Sequence, residues 1–175
     1  MDRDSLKALQ TPLKQLYQSN PESAIAELHA EGHVDFDQFS CRVAIPPNNG
    51  TDILAGLHPK AGGDGSQACS GEILLQALVT CAGTTLAAVS NAMGLPVRSA
   101  HIQARGIMDF RGTLGVDRSV PVGLTKIDLN FRLDSDAHSE QLDKLIQLTE
   151  RYCVVLQTLK MSVPINATRS VSDAI

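Results

Sequence analysis

The sequence predicts an α+β protein in which antiparallel strands pack around a long, apolar central helix. Apolar residues alternate with polar ones over residues 39–45, 102–110 and 127–133, which is typical of strands with one buried face. Residues 72–93 are apolar around nearly the whole helical circumference, which is typical of a buried helix. Because the helices alternate with strand pairs and not with single strands, antiparallel sheets are favoured.

The N-terminal part, residues 1–36, is predicted to be a helical extension, and residues 37–175 the main domain. Leucines at helical spacing predict a first helix. Asn20 and Pro21 suit the N-cap and first turn of a second helix, which Gly32 would end.

The main domain is predicted to open with a β-hairpin. The strand from residue 39 is followed by a Pro/Asn/Gly turn at residues 46–50 and by a second strand at residues 53–57. A glycine-rich loop at residues 58–71 then leads to the central helix, with Ser70 as the predicted N-cap and Gly94 just past its end.

The second half of the chain supplies the two longer strands and one further helix. A Gly/Pro-containing connection at residues 112–123 joins the strands, and residues 139–152 form an amphipathic helix. A last strand is expected at residues 161–168.

Composition limits the classes of function. The chain has 175 residues, a net charge of -4 and no Lys/Arg-rich run, so a nucleic-acid partner is not expected. The first residues lack a signal-type apolar stretch, and polar residues interrupt the most apolar segment. We therefore expect a cytoplasmic protein without a membrane partner.

Four cysteines are the main candidates for chemistry: Cys41, Cys69, Cys81 and Cys153. They form no C-x-x-C pair, which argues against a thioredoxin-like motif and a zinc ribbon. Cys69 precedes the central helix, whose positive end favours a thiolate, so it is a candidate third redox group. Cys41 is expected to be a core thiol.

Cys81 and Cys153 occupy positions where a thiol is either structural or reactive. Cys81 lies in the middle of the central helix, where burial raises the pKa of a thiol unless a cation or strong donors stabilise the thiolate. Cys153 ends the amphipathic helix on its inward face. For each residue a plain core thiol remains the alternative.

Two stretches around these cysteines resemble the OsmC/Ohr family, and the OsmC-like branch more than Ohr proper. Residues 71–83 (GEILLQALVTCAG) resemble its signature, a glutamate and an apolar run leading to a mid-helix cysteine. Residues 150–159 (ERYCVVLQTL) resemble its second motif, a cysteine closing a helix. The order of elements over residues 38–170 is also similar.

The resemblance implies an intertwined homodimer that reduces organic hydroperoxides in oxidative-stress defence. Cys81 would attack the peroxide and become a sulfenic acid, and Cys153 would close a disulfide that an external dithiol reductant reopens. Arg42 from the first hairpin and Glu72 before the central cysteine would hold the thiolate. This chemistry needs no metal or organic cofactor.

Departures from the family pattern leave a second interpretation open. Gly71 stands where Ohr-like members have their glutamate, and Val154 and Leu156 replace a proline and a histidine often found after the second cysteine. An OsmC-like protein without peroxidase activity, binding a small apolar ligand at the dimer interface, would fit these residues. A partner-binding role for the N-terminal helices is a third hypothesis.

Overall fold

The structure is a computed structural model that describes residues 3–45 and 51–170. Its helices and strands form an α+β arrangement with antiparallel sheets, as predicted. The turn predicted at residues 46–50 lies outside the described residues.

The N-terminal extension contains one helix, α1 (Arg3–Ser19). The prediction of a second helix before Gly32 is wrong, since only a single 3-10 turn, Pro21–Ala24, follows α1. The Asn20 side chain makes no capping hydrogen bond. Ile25 and Leu28 are 82% and 90% exposed, so a helix here would have nothing to pack on, and short helices are unstable without packing.

The first sheet has three antiparallel strands, β1 (Gly32–Asp35), β2 (Ser40–Ala44) and β3 (Asp52–Ala55), in that order. The predicted β2–β3 hairpin is confirmed, with Arg42 opposite Leu54. Strand β1 was not predicted. It pairs with β2 through a turn in which the Asp35 carboxylate accepts N–H hydrogen bonds from residues 37 and 38, both 2.9 Å. The boundary predicted between residues 36 and 37 falls inside this turn.

The central helix is α2 (Ser70–Met93), which starts two residues before the predicted position. Its N-cap is Cys69 and not the predicted Ser70, because the Glu72 carboxylate folds back and accepts the Cys69 N–H at 2.9 Å. The helix ends at Gly94, whose φ of 67° is the left-handed conformation that glycine adopts without strain.

A two-stranded antiparallel ribbon, β4 (Val97–Met108) and β5 (Leu124–Ser135), covers one side of α2. A short helix, α3 (Phe110–Thr113), interrupts their connection, so Phe110 begins a helix where a strand end was expected. Leu78 and Ala82 of α2 are fully buried, and side chains from both strands pack on them: Ile102, Ala104, Ile127, Leu129 and Phe131.

The last two helices, α4 (Ser139–Tyr152) and α5 (Val154–Lys160), pack on α2 and meet at Cys153. The amphipathic α4 is confirmed, and α5 was not predicted. The strand expected at residues 161–168 is wrong: residues 161–170 are exposed and have no regular structure. A strand needs a neighbouring edge to pair its N–H and C=O groups, and within the described part of the chain this segment pairs with none.

The chain leaves an unusual amount of surface uncovered. Its accessible surface is 13633 Å², whereas a compact monomer of 18.7 kDa is expected to have about 8,300 Å². Large apolar side chains contribute to the excess, among them Val34, Phe36 and Phe39 around the first sheet and Met161 and Ile165 near the end.

Helix α2 is long and apolar enough to cross a membrane by length and composition alone, as core helices of soluble proteins also can be. The polar residues that interrupt this segment are therefore not sufficient to exclude a membrane span, contrary to the argument from the sequence. Within the chain, α2 packs against β4, α4 and α5, as a core helix does.

Candidate active site

The site begins with Cys153, which joins two helices. Its N–H donates to the Thr149 carbonyl at 2.9 Å and closes α4, while its own carbonyl accepts the Gln157 N–H at 2.9 Å and opens α5. Its φ and ψ, -72° and 106°, are extended, so the chain changes direction here. Cys153 is 1% exposed and belongs to the core cluster.

The partner of Cys153 is Cys81, from the middle of α2. Cys81 is partly buried and packs against the cluster formed by Leu78, Ala82 and Cys153. The two thiols form no disulfide, and they lie close enough together for each to shift the pKa of the other. The fold thus brings together two cysteines that are 72 positions apart in the sequence.

Neutral hydrogen-bond donors control the acidity of Cys81. Burial raises the pKa of its thiol, but the Val155 amide, the Cys153 thiol, the Val154 amide and the Thr85 hydroxyl all act in the opposite direction. The net result is a pKa below the ordinary value for cysteine. Donors that bond to the charged form stabilise the thiolate without a cation.

Cys153 shows the opposite behaviour. Burial raises the pKa of its thiol, and the neighbouring Cys81 raises it further, which outweighs the Leu156 and Val155 amides. Cys81 is therefore the better thiolate of the two, and Cys153 is the thiol that keeps its proton to a higher pH.

The donors around Cys81 were missed by the sequence analysis. Val154 and Val155 stand in the first turn of α5, where backbone N–H groups have no helical partner. The apolar run after Cys153 gave no signal of a helix start. Thr85 lies four residues after Cys81, so it faces the same side of α2, and this spacing was available from the sequence.

Arg42 and Glu72 have other partners within one chain. The Arg42 Nη1 lies 3.2 Å from the Asp52 Oδ2, across the β2–β3 pair. Glu72 bonds to the Cys69 N–H, and it lies about half a helical rotation around α2 from Cys81. Neither is among the groups that shift the pKa of Cys81.

The remaining cysteines lie apart from the pair. Cys69 precedes Cys81 by twelve residues, which in a helix is about 18 Å along the axis. Cys41 is in β2, with its Sγ beside Gly32 of β1. Among the described residues, no cluster of three His, Cys, Asp or Glu side chains could hold a metal ion.

The fold is an antiparallel α+β fold, and it places two unpaired thiols in contact beside a long central helix. These two features together define a class of thiol proteins. A family model described as "OsmC-like protein" matches residues 63–168, and the chain belongs to this family. The predicted OsmC-like fold is confirmed by the solved structures described next. No curated protein sequence matches the chain significantly.

Solved structures of family members share the fold at low sequence identity. An OsmC-like protein from Mycoplasma pneumoniae is 17% identical, with a TM-score of 0.63 over 77% of this chain and 88% of that one. An organic hydroperoxide resistance protein OsmC from Legionella pneumophila is 9% identical, with a TM-score of 0.61 over 78% and 92%. The organic hydroperoxide resistance protein OhrB of Bacillus subtilis is 14% identical, with a TM-score of 0.53 over 77% and 93%.

Proposed function

We propose that this protein is a thiol-dependent peroxidase that reduces organic hydroperoxides in oxidative-stress defence. The observation that carries the proposal is the contact between Cys81 and Cys153, whose pKa values are shifted in opposite directions. Such an asymmetric pair contains one nucleophile and one protonated partner. Two solved relatives named organic hydroperoxide resistance proteins add support at the level of the family.

The proposed reaction begins with the Cys81 thiolate. It attacks the terminal oxygen of the hydroperoxide, the O–O bond breaks, and the alkoxide leaves with the Cys153 proton as an alcohol. Cys81 is now a sulfenic acid and Cys153 a thiolate. The Cys153 thiolate attacks the Cys81 sulfur, and hydroxide leaves and takes a proton from solvent. An external dithiol then reduces the disulfide and is itself oxidised.

In this proposal no metal or organic cofactor takes part, and the protein acts as a homodimer in the cytoplasm. Unpaired cysteines suit a reducing compartment. Arg42 and Glu72 would assist Cys81 only from a second copy of the chain, because within one copy neither is among the groups that shift the pKa of Cys81.

The test is peroxide consumption by the full-length protein, with cumene hydroperoxide as substrate and dithiothreitol as reductant. Without dithiothreitol the wild type is expected to lose two thiols per peroxide and to form one disulfide between Cys81 and Cys153, and with dithiothreitol it should turn over repeatedly. Cys81→Ser should be inactive, and Cys153→Ser should stop at a sulfenic acid that dimedone traps. Cys41→Ser is the matched control. Full turnover by Cys81→Ser would refute the proposal.

An OsmC-like protein that binds a small apolar ligand without reducing peroxides is the second candidate. It is favoured because no cation is among the groups that shift the pKa of Cys81, and because Val154 and Leu156 make the surroundings apolar. Equal thiol counts before and after peroxide treatment would select it over the enzyme.

A further inference from the structure

The break between α4 and α5 changes the hydrogen-bond partner of the Glu150 carbonyl. In a continuous α-helix this carbonyl would accept the N–H of the residue four positions later, which is Val154. The φ and ψ of Cys153 are extended, so the helical pattern stops at Tyr152 and restarts at Val154. The break therefore releases the Val154 N–H from the hydrogen-bond pattern of α4.

Gln157 supplies the donor that the Glu150 carbonyl would otherwise lack. The Gln157 Nε2 donates to this carbonyl at 2.7 Å, and the Gln157 backbone N–H donates to the Cys153 carbonyl at 2.9 Å. One residue of α5 thus bonds to the last turn of α4 and to the residue at the break. Because a helix leaves its last carbonyls unpaired, a side-chain donor here stabilises the end of α4 and hence the break.

A second connection across the break is an ion pair on the surface. The Lys160 Nζ lies 3.7 Å from the Glu150 Oε2, and both side chains are about half exposed. Exposed ion pairs contribute little to stability, because water and salt screen them. The hydrogen bond from the Gln157 side chain is therefore the stronger of the two connections.

The amides that the break releases lie beside Cys81. Val155, in the first turn of α5, packs against the same buried cluster as Cys81 does. The Val154 and Val155 amides are among the groups that lower the pKa of Cys81. If α4 continued through Cys153, both N–H groups would donate to carbonyls of α4 instead.

We propose that Gln157 is a positioning residue for Cys81 and acts through the break between α4 and α5. Its hydrogen bond occupies the Glu150 carbonyl, which would otherwise draw the Val154 N–H back into α4. Gln157 is not itself among the groups that shift the pKa of Cys81. The inference rests on the proposed peroxidase function, because it concerns the nucleophile of that reaction.

Iodoacetamide labelling of Cys81 in the full-length protein, followed across a pH series by peptide mapping, tests this role. Gln157→Met keeps the length and helix propensity of the side chain but removes the donor. We expect labelling to be about fivefold slower at neutral pH, because Cys81 loses hydrogen bonds to its thiolate. The rates of variant and wild type should converge at high pH, where both thiols are fully ionised.

The matched controls change side chains near Gln157 without removing its hydrogen bond. Gln147→Met makes the same substitution at an exposed position of α4. Lys160→Met removes only the ion pair across the break. Both variants should label Cys81 at the rate of the wild type at every pH.

Val154→Pro distinguishes positioning from a general loss of stability. Proline has no N–H but suits the first residue of a helix, and the extended Cys153 has a conformation that favours a following proline. This variant should also slow the labelling of Cys81, because it removes one donor. Since proline cannot continue α4, the break no longer depends on Gln157. Adding Gln157→Met to Val154→Pro should therefore cause no further slowing.

Three results would overturn the role of Gln157. They are unchanged labelling of Cys81 in Gln157→Met, equal slowing in either control, and further slowing when Gln157→Met is added to Val154→Pro. Labelling requires neither peroxide nor reductant, so these results leave the test of the peroxidase untouched. Slower labelling in Gln157→Met, with no peroxide consumption by the wild type, would instead refute the peroxidase and support the positioning of Cys81.

Discussion

At the scale of the residue, the chemistry of Cys81 depends on neutral donors. The Val155 and Val154 amides, the Cys153 thiol and the Thr85 hydroxyl together outweigh the effect of burial on its pKa. Backbone amides are fixed in place by the start of α5, so their contribution requires no reorganisation when charge develops on sulfur.

The two thiols should titrate separately. Because the Cys81 pKa is lowered, its thiolate should form below the pH at which a free cysteine ionises, and Cys153 should ionise above it. Iodoacetamide labelling across a pH series, read by peptide mapping, measures both midpoints. Preferential labelling of Cys153 at neutral pH would contradict the assignment of roles.

The same shifts affect stability in opposite directions. The unfolded chain retains its Cys81 proton to a higher pH than the folded chain does, so this group adds stability as pH rises through that window and loses it as pH falls. Cys153, with its raised pKa, adds stability at lower pH and loses it as pH rises.

Thr85→Val should make Cys81 less acidic, because it removes a hydroxyl donor at nearly constant volume. We expect iodoacetamide to react with Cys81 more slowly at neutral pH, on the order of threefold. The matched control is Thr84→Val, since the Thr84 hydroxyl donates instead to the Thr80 and Cys81 carbonyls, both at 3.1 Å. An equal slowing in both variants would show that Thr85 has no particular role.

At the scale of the element, the site depends on the packing of α2 against the α4–α5 junction. Leu78→Ala should lower the free energy of unfolding by about 2–5 kcal/mol, because Leu78 is fully buried beside Cys153. Urea denaturation measures the change. Leu159→Ala, at a position that is 38% exposed on α5, should cost much less, and a similar cost would mean that Leu78 is not central to the core.

Periodicity predicted the elements that bury a face within one chain. The central helix and the amphipathic helix α4 were placed to within two residues, and the two long strands were located but begin earlier than predicted, β4 by five residues and β5 by three. Their patterns are strong because each side chain either faces the core or faces solvent.

The wrong or missed elements lack that local signal. The strand expected at residues 161–168 has the composition of a strand but no edge to pair with in the chain. Strand β1 begins at Gly32, a residue that also suits the end of a helix. Cys81 and Cys153 could be predicted from their motifs, but the amide donors could not, because they depend on an unpredicted helix, α5.

At the scale of the whole molecule, the uncovered surface points to a second copy of the chain. The accessible surface exceeds that of a compact monomer by about 5,000 Å², which is more than the roughly 1,000–2,500 Å² that each chain buries in a typical obligate interface. We infer that another chain covers the first sheet and the C-terminal segment, where Phe36 and Ile165 are 83% and 91% exposed.

Light scattering after gel filtration should give a mass of about 37 kDa, twice that of one 18.7 kDa chain. Phe36→Asp should shift the mass towards the single chain, because it places a charge on a surface that the partner would bury. The control is Lys144→Gln, on the exposed side of α4. A mass of one chain at all protein concentrations would exclude the homodimer.

The position of Cys153 between two helices has a consequence for how long the protein survives under oxidative stress. A disulfide between Cys153 and Cys81 would close a loop of about 72 residues in the unfolded chain. It would raise the free energy of unfolding by about 4 kcal/mol, because it restricts the unfolded chain. Proteases that cut only opened molecules would then degrade the oxidised form more slowly. Limited proteolysis before and after peroxide should reveal this protection in the wild type, and Cys153→Ser should show none.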